Sequence, residues 1–252
     1  MVDPDWGEGY IGALMDLSIV IPAYNEERRI GLTLEKTAGF LESRPWKWEL
    51  IAIDDGSSDR TSDEVLRLSR RWPGIRCLRN ERNRGKGYSV RRGVETAEGR
   101  YVGFMDADYK TDIACLDAAV AKLEEGWDGV IGDRRLGGTR IAQARRAYRQ
   151  IGSEVFKHLL RVLIGLKEFG DTQCGFKFFQ APVAQDLFAR QRVDGYMFDV
   201  EILLLAVRSG YRICPIPVVW SDDPDSRFKP LSGSVRDMAE LFRIFWRHRM
   251  RS

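Results

Sequence analysis

No stretch of this sequence is long and apolar enough to form a membrane-spanning helix. Such a helix needs about 20 consecutive, predominantly apolar residues, and no uncharged apolar run approaches that length. Residues 1–15 contain acidic residues and glycines rather than a cationic start followed by an apolar block, so they are not typical of a secretory signal. We therefore expect any contact with a membrane to be peripheral.

Cysteine is also scarce. The four cysteines, Cys77, Cys115, Cys174 and Cys214, show no paired metal-binding spacing. This pattern favours reduced, structural thiols in a cytosolic compartment and gives no indication of a zinc site.

The composition is that of one globular α/β domain, with 44% hydrophobic and 31% charged residues in 252. The net charge is only +3, but the charge is unevenly distributed. Residues 134–167 contain nine Lys or Arg and a single acidic residue, Glu154, in a segment with helical spacing of apolar residues. A basic amphipathic helix is expected there, and a second one at the C-terminus.

Short apolar runs alternate with segments of helical periodicity through the first half of the chain. Strands are predicted at residues 17–22, 48–53, 75–79, 101–105 and 129–131, and a later one at 211–220. This alternation predicts a Rossmann-like, mostly parallel sheet with helices on both faces. We expect an N-terminal extension (1–16), two halves of one domain (17–133 and 134–232) and a basic amphipathic C-terminal helix (233–252).

The strand at 101–105 ends in two carboxylates, Asp106 and Asp108, one residue apart. Side chains at positions i and i+2 of an extended chain project to the same side, so the two carboxylates should converge. Carboxylates that close repel each other unless a cation lies nearby, which favours a site for Mg²⁺ or Mn²⁺ completed by diphosphate oxygens. The alternative is a solvated turn or a helix cap.

Two other predicted strands end in polar motifs. Residues 22–26 are Pro-Ala-Tyr-Asn-Glu, and residues 54–59 are Asp-Asp-Gly-Ser-Ser-Asp, in which Asp54 and Asp59 could serve only to shape a turn and cap a helix. Residues 84–87, Arg-Gly-Lys-Gly, open a predicted helix and could bind phosphate through backbone N–H groups and Lys86. They lack the full phosphate-loop signature, so a plain turn remains the alternative.

Taken together, residues 22–26, 54–57 and 106–108 resemble those of the inverting glycosyltransferases of family 2. The resemblance implies a nucleotide-diphospho-sugar transferase (GT-A-type) fold, in which residues 17–133 form the nucleotide-sugar-binding half and residues 134–232 the acceptor-binding half. It also implies that Tyr24 lies against the base and that Asp55 accepts from a base ring N–H. Both uracil and guanine present that N–H, so Asp55 does not choose between UDP and GDP. The implied donor-binding residues are Pro22, Ala23, Tyr24, Glu26, Asp55, Gly56, Lys86, Asp106 and Ala107, with Asp106 and Asp108 as metal ligands.

The second half resembles one branch of that family more closely. Residues 171–177, Asp-Thr-Gln-Cys-Gly-Phe-Lys, with residues 132–134 and 198–201, resemble the dolichyl-phosphate glucosyltransferases and microbial polyprenyl-phosphate hexosyltransferases. The resemblance implies Asp108, Asp171 and Arg134 as catalytic residues. The implied acceptor-binding residues are Arg134, Arg145, Arg146, Arg149, Gln173 and Asp199.

A lipid monophosphate is a chemically reasonable acceptor for such a site. Its second pKa is about 6, so at neutral pH it is already anionic and needs no strong base. The expected activity is transfer of glucose from UDP-glucose to a polyprenyl or dolichyl phosphate at the cytosolic membrane face, with mannose from GDP-mannose as the near alternative. A sugar-hydroxyl acceptor would instead require Asp171 or Asp199 as a base.

The cationic C-terminal segment favours docking on an anionic membrane surface. Apolar residues Leu241, Phe242, Phe245 and Trp246 are expected opposite a set of arginines that includes Arg243 and Arg247. A solvated basic face or non-specific nucleic-acid binding is the alternative, and no specific nucleic acid is expected. A non-catalytic binding protein would have no need of the Asp106 and Asp108 pair. The sequence makes no prediction of oligomeric state.

Overall fold

The computed structural model describes residues 15–141, 166, 168–221 and 239–246. Strands and helices alternate through the first half, as the sequence predicts. They are β1 (Met15–Ala23), α1 (Ile30–Glu42), β2 (Trp48–Asp54), α2 (Thr61–Ser69), β3 (Ile75–Arg79), α3 (Lys86–Glu95), β4 (Gly99–Met105), α4 (Cys115–Glu124) and β5 (Gly129–Asp133).

The second half adds β6 (Arg140–Ile141), β7 (Phe176–Gln180), α5 (Ala181–Arg190), α6 (Phe198–Arg208), β8 (Ile213–Pro217) and β9 (Val219–Trp220). The single strand predicted at 211–220 is therefore wrong in detail. It is two strands, of which β8 pairs with β5 and β9 pairs with β6 in a separate two-stranded sheet.

Seven strands form one sheet in the order β3-β2-β1-β4-β7-β5-β8. The sheet is mostly parallel, but β7 runs antiparallel to both of its neighbours, β4 and β5. The sequence did not predict β7, because a five-residue run is short and contains a lysine, Lys177, among three phenylalanines. Strands from both predicted halves belong to this sheet.

Helices cover both faces of the sheet and create two cores. One core is lined by α3, α5 and α6, together with Leu241 and Ile244 of a helical segment at 239–246. The other is lined by α1, α2 and α4. Since the sheet is covered on both faces, the loops at the carboxyl ends of the strands are the natural place for a site.

The C-terminal helical segment divides its apolar residues between two sides. Leu241 and Ile244 are buried, whereas Phe242 and Trp246 are exposed. The expected single apolar face containing Leu241, Phe242, Phe245 and Trp246 is therefore wrong. Within the described ranges no helix has the length and apolarity needed to cross a membrane. The basic helix expected within 134–167, including Arg145, Arg146 and Arg149, lies almost entirely outside the described residues, and the domain boundaries stay predictions.

Candidate active site

The carboxyl ends of β1, β2 and β4 bring the three predicted motifs to one edge of the sheet. Ala23, the last residue of β1, is paired in register with Asp54, the last residue of β2. Tyr24 follows β1 and is largely exposed, while Asp106 follows β4 directly. Because β1 lies between β2 and β4, the polar residues after these strands form a continuous surface.

Asp54 and Asp59 shape the turn after β2, as one of the two sequence interpretations has it. Asp54 accepts hydrogen bonds from the Ser57 backbone N–H at 2.8 Å and from the Ser62 hydroxyl. Asp59 accepts from the Thr61 backbone N–H at 3.0 Å and from the Glu27 backbone N–H at 3.2 Å. Both carboxylates satisfy donors of the chain itself. Asp54 shapes the turn after β2, and Asp59 also ties that turn to the loop after β1.

Asp55 is buried and holds the loop that precedes α3. One carboxylate oxygen accepts from the Asn80 side-chain amide at 2.6 Å and from the Arg84 N–H at 2.9 Å. The other accepts from the Gly85 N–H at 2.8 Å. Gly85 has φ of 105°, and a side chain there would collide with the Asp194 carbonyl. The position therefore requires glycine, and Asp55 fixes the entry into α3.

Lys86, the first residue of α3, reaches across to β4. Its ammonium lies 2.6 Å from Oδ1 of Asp106. Burial acts to lower the pKa of Lys86, but Asp106 and Asp199 outweigh it and the net pKa is raised. Burial likewise acts to raise the pKa of Asp106, but Lys86, Lys177 and Arg134 outweigh it and the net pKa is lowered. Both groups are therefore charged at neutral pH.

Asp108 lies beside its own set of cations. Its Oδ2 is 2.9 Å from the Lys110 ammonium and 3.9 Å from the Arg29 guanidinium. Arg29 is held in turn by Glu26, with the two groups 2.6 Å apart. Arg29, which contacts both Glu26 and Asp108, therefore connects the motif after β1 with the motif after β4.

The metal hypothesis rests on the carboxylates of Asp106 and Asp108. Their hard oxygen donors suit Mg²⁺ or Mn²⁺ if diphosphate oxygens complete the coordination. Among the described residues there is no group of three or more His, Cys, Asp or Glu side chains that could hold a metal without such help. The donor set thus fits a cation that is bound together with a nucleotide diphosphate.

Arg134, which is partly buried, and the buried Asp171 form a two-point ion pair. Arg134 donates from Nε to one oxygen of Asp171 and from a terminal nitrogen to the other at 2.9 Å. Burial acts to raise the pKa of Asp171, but Arg134 outweighs it and the pKa is lowered to about 2. Gln173 is exposed next to this pair, and its backbone N–H donates to Asp171 at 3.2 Å. Asp171 is consequently an unprotonated partner of Arg134.

The absence of a side chain at Gly175 leaves space for the Asp106 carboxylate. The Gly175 carbonyl accepts from the Asp106 N–H at 3.1 Å, and a Cβ at this position would overlap the Asp106 carboxylate. On the other side, the Ala107 carbonyl accepts from the Thr33 hydroxyl at 2.7 Å. The backbone around the carboxylate pair is therefore held from both sides.

Comparison with known proteins identifies the family. The model of "Glycosyl transferase family 2" matches residues 18–188. The chain belongs to glycosyl transferase family 2. A dolichyl-phosphate beta-glucosyltransferase from Trichomonas vaginalis is 35% identical over 90% of this chain and 72% of the relative. Enzymes with the same name from Drosophila melanogaster and Saccharomyces cerevisiae are 34% and 32% identical over 93% and 89% of this chain, and 76% and 72% of their own lengths.

Solved structures agree with the fold. Glucosyl-3-phosphoglycerate synthase from Mycobacterium tuberculosis, solved with UDP, has a TM-score of 0.68 and 22% identity over 92% of this chain and 80% of that one. The same synthase with Mn²⁺, UDP-glucose and phosphoglyceric acid has a TM-score of 0.67 and 19% identity over 92% and 79%. This family 2 glycosyltransferase therefore has the predicted GT-A-type fold.

Sequence reasoning missed Lys177. Lys177 lies in β7 and is fully buried. Its ammonium donates to Asp199 at 2.5 Å and to the Cys174 carbonyl at 2.7 Å. Burial raises the pKa of Asp199 in spite of the attraction of Lys177. A charged residue within a run of phenylalanines was the available signal, because a buried lysine needs a buried partner.

Proposed function

We propose that this family 2 glycosyltransferase moves glucose from UDP-glucose to the phosphate of a polyprenyl or dolichyl phosphate, with inversion at the anomeric carbon. The acceptor phosphate oxygen forms the new bond to that carbon, the bond to the donor diphosphate breaks, and UDP leaves. The reaction takes place at the cytosolic face of a membrane to which the protein is peripherally bound.

One observation carries the choice of acceptor: neither candidate base is placed to remove a proton. The Asp171 carboxylate is held by Arg134 with a pKa of about 2, far below the range useful for a general base near neutral pH. Asp199 is buried and occupied by Lys177. A hydroxyl acceptor would need such a base, whereas a phosphate monoester is already ionised at neutral pH. The geometry therefore favours an acceptor that arrives as an anion.

The cations around Asp106 suit two phosphate-bearing substrates. The Lys86 ammonium adjoins Asp106 directly, and Lys177 and Arg134 lie within electrostatic range of the same carboxylate. In our proposal Lys86 contacts the donor diphosphate and Arg134 orients the acceptor phosphate, with Asp171 fixing the guanidinium. Asp106 and Asp108 would hold Mg²⁺ or Mn²⁺, and a cation bound there supplies positive charge to the leaving diphosphate.

The base of the donor is assigned to the pocket formed by Tyr24 and Asp55. A carboxylate offers about four acceptor positions, and three of those on Asp55 are used by Asn80, Arg84 and Gly85. One position is left for a ring N–H of uracil or guanine. Uracil is preferred here because the named relatives are glucosyltransferases and a structural neighbour was solved with UDP-glucose.

The direct test offers the protein UDP-glucose, GDP-mannose and UDP-N-acetylglucosamine, each with a short polyprenyl phosphate or with the corresponding alcohol. Mass spectrometry should detect a hexosyl phosphate product only with UDP-glucose, and NMR should show the inverted anomeric configuration. Transfer from GDP-mannose instead would replace the donor. Transfer to the alcohol but not to the phosphate would refute the proposed acceptor.

A further inference from the structure

Three large aromatic side chains of the C-terminal part of the chain are exposed to solvent. Tyr196, Phe242 and Trp246 are 65%, 48% and 63% exposed. Exposed apolar residues scattered singly need no explanation, but a cluster of large ones indicates a surface that contacts something. We call these three residues the aromatic surface.

The orientation of the 239–246 helix explains why two of these residues face outward. Leu241 and Ile244 lie in the core, with 0% and 1% exposure. At 100° per residue, positions 242 and 246 fall one turn apart on the side opposite Leu241 and Ile244. The helix is thus fixed by its buried residues, and Phe242 and Trp246 point away from the protein.

Tyr196 belongs to the same region of the molecule. The backbone N–H of its neighbour Met197 donates to the Glu240 carboxylate at 3.2 Å, which ties the 195–197 loop to the 239–246 helix. A side chain at Gly195 would overlap the same carboxylate. The loop that carries Tyr196 and the helix that carries Phe242 and Trp246 are therefore in close contact.

The loop that carries Tyr196 also approaches the active site. The Tyr196 side chain lies within electrostatic range of the Lys86 ammonium. Asp194, two residues earlier, accepts at its carbonyl from the Tyr88 N–H at 3.1 Å, and its carboxylate is 2.9 Å from the Arg91 guanidinium. The segment 194–197 thus joins the N-terminal part of α3, where Lys86 lies, to the 239–246 helix.

We infer that the aromatic surface is the part of the protein that enters the interfacial layer of a lipid bilayer, next to the mouth of the active site. This inference rests on the proposed function, because a lipid phosphate must reach Lys86 and Arg134 from a membrane. Tyrosine and tryptophan are favoured at the bilayer interface because their rings are apolar and their polar edges remain hydrated.

Charge supports a lipid as the occupant. Arg243 is exposed beside Phe242, and the sequence continues with Arg247, Arg249 and Arg251. Cations next to exposed aromatic residues match an anionic bilayer, where the ring inserts and the guanidinium contacts the headgroups. Vesicle binding by the aromatic residues should persist at high salt. Binding by the arginines should weaken as salt screens their charge.

The experiment measures co-sedimentation of the full-length protein with phosphatidylcholine vesicles, with and without phosphatidylserine. The test variant is Phe242→Ser with Trp246→Ser, and a second variant is Tyr196→Ala. The matched control is Leu32→Ser with Leu66→Ser, since these residues of α1 and α2 are 54% and 50% exposed on the opposite side of the sheet.

We expect the test variant to lose affinity for the vesicles by about tenfold or more, and the control to bind like the wild type. Thermal unfolding of the variants checks that each one folds. Wild-type protein that ignores both kinds of vesicle, or a test variant that binds as well as the control, would overturn the inference. A third result would also overturn it: a wild-type protein that is dimeric without lipid, together with a test variant that is monomeric but binds vesicles as the wild type does.

Transfer assays separate this inference from the proposed function. The test variant should transfer normally to a short, water-soluble polyprenyl phosphate and poorly to a long one embedded in vesicles. If no phosphate acceptor is used by the wild type but the aromatic residues still govern vesicle binding, the proposed function fails and the docking surface stands. If the soluble acceptor is used and vesicle binding does not depend on these residues, the docking surface fails alone.

Discussion

The ammonium of Lys86 lies 2.6 Å from a carboxylate oxygen of Asp106, so the first turn of α3 is joined to the end of β4 by one ion pair. This contact places the glycine-rich loop after β3 against the carboxylate pair after β4. The two members of the ion pair are held separately. Lys86 follows the loop that Asp55 holds, and the backbone N–H of Asp106 donates to the Gly175 carbonyl.

Asp108→Ala should abolish transfer and leave the fold intact. Asp108 is partly exposed at the end of a strand, and its partners Lys110 and Arg29 can be solvated when it is removed. We expect the transfer rate at saturating Mg²⁺ or Mn²⁺ to fall by more than about tenfold, with little change in thermal unfolding. Asp117→Ala removes an exposed carboxylate of α4 and serves as the control. A folded Asp108→Ala enzyme that retains more than about a tenth of the activity would refute the role.

Asp55→Asn should weaken UDP binding by about 1–3 kcal/mol, because a charged acceptor is replaced by an amide. Calorimetry with UDP and CDP distinguishes two causes. Cytosine has no ring N–H at the point where uracil donates one, so a direct contact predicts that the variant loses its discrimination between UDP and CDP.

If Asp55 acts only by holding the loop before α3, both nucleotides should lose affinity equally. Asn80→Ala is the matched variant, since it removes a buried donor to Asp55 without altering the carboxylate. Unchanged UDP affinity in Asp55→Asn would mean that Asp55 contributes to nucleotide binding neither directly nor through the loop before α3.

Gly175→Ala should damage catalysis more than stability. The added methyl group would overlap the Asp106 carboxylate and displace it from Lys86. Gly137→Ala is the control, because a Cβ at that glycine meets no other atom within 4 Å. We expect the transfer rate of Gly175→Ala to fall by about tenfold or more, while Gly137→Ala stays near the wild-type rate. Equal activity of the two variants would show that the position of Asp106 is unimportant.

Asp171→Asn should reduce stability in a pH-dependent way. The folded-state pKa of Asp171 is lowered from 3.8 to about 2, so its ionised form stabilises the fold above about pH 4 and this stabilisation is lost as the pH falls toward 2. The shift corresponds to about 2 kcal/mol.

Urea unfolding of wild type and Asp171→Asn should therefore show a difference that is constant near neutral pH and narrows in acid. The control is Asp186→Asn, which removes one partner of the surface pair with Arg190 and should change stability little at any pH. A difference between wild type and Asp171→Asn that grows in acid would contradict the assigned ion pair.

Lys177→Met should destabilise the protein by about 3–5 kcal/mol, because it leaves the buried Asp199 carboxylate without its cation. Adding Asp199→Leu to this variant should restore part of the loss, since no uncompensated charge then remains. Urea unfolding of the wild type, both single variants and the double variant measures the coupling. A double variant that is no more stable than Lys177→Met would show that the two side chains do not depend on each other.

Local patterns in the sequence were sufficient for the elements that carry the donor motifs. The strands β1, β2 and β4 were predicted because each is a short apolar run, and their ends were visible because polar residues follow at once. The shared edge followed from the rule that parallel strands present their carboxyl ends together. The family and the fold could be inferred from this order of motifs.

The tertiary structure alone decided which groups hold one another. The antiparallel insertion of β7, the pairing of Lys177 with Asp199 and the anchoring of Arg134 by Asp171 all join residues separated in the chain, by 37 positions in the last case. Periodicity likewise could not show that Leu241 is buried and Phe242 exposed, because it gives the spacing of apolar residues and not the direction of the core. Local pattern fixes the type of an element, whereas its partners depend on packing against segments that are distant in sequence.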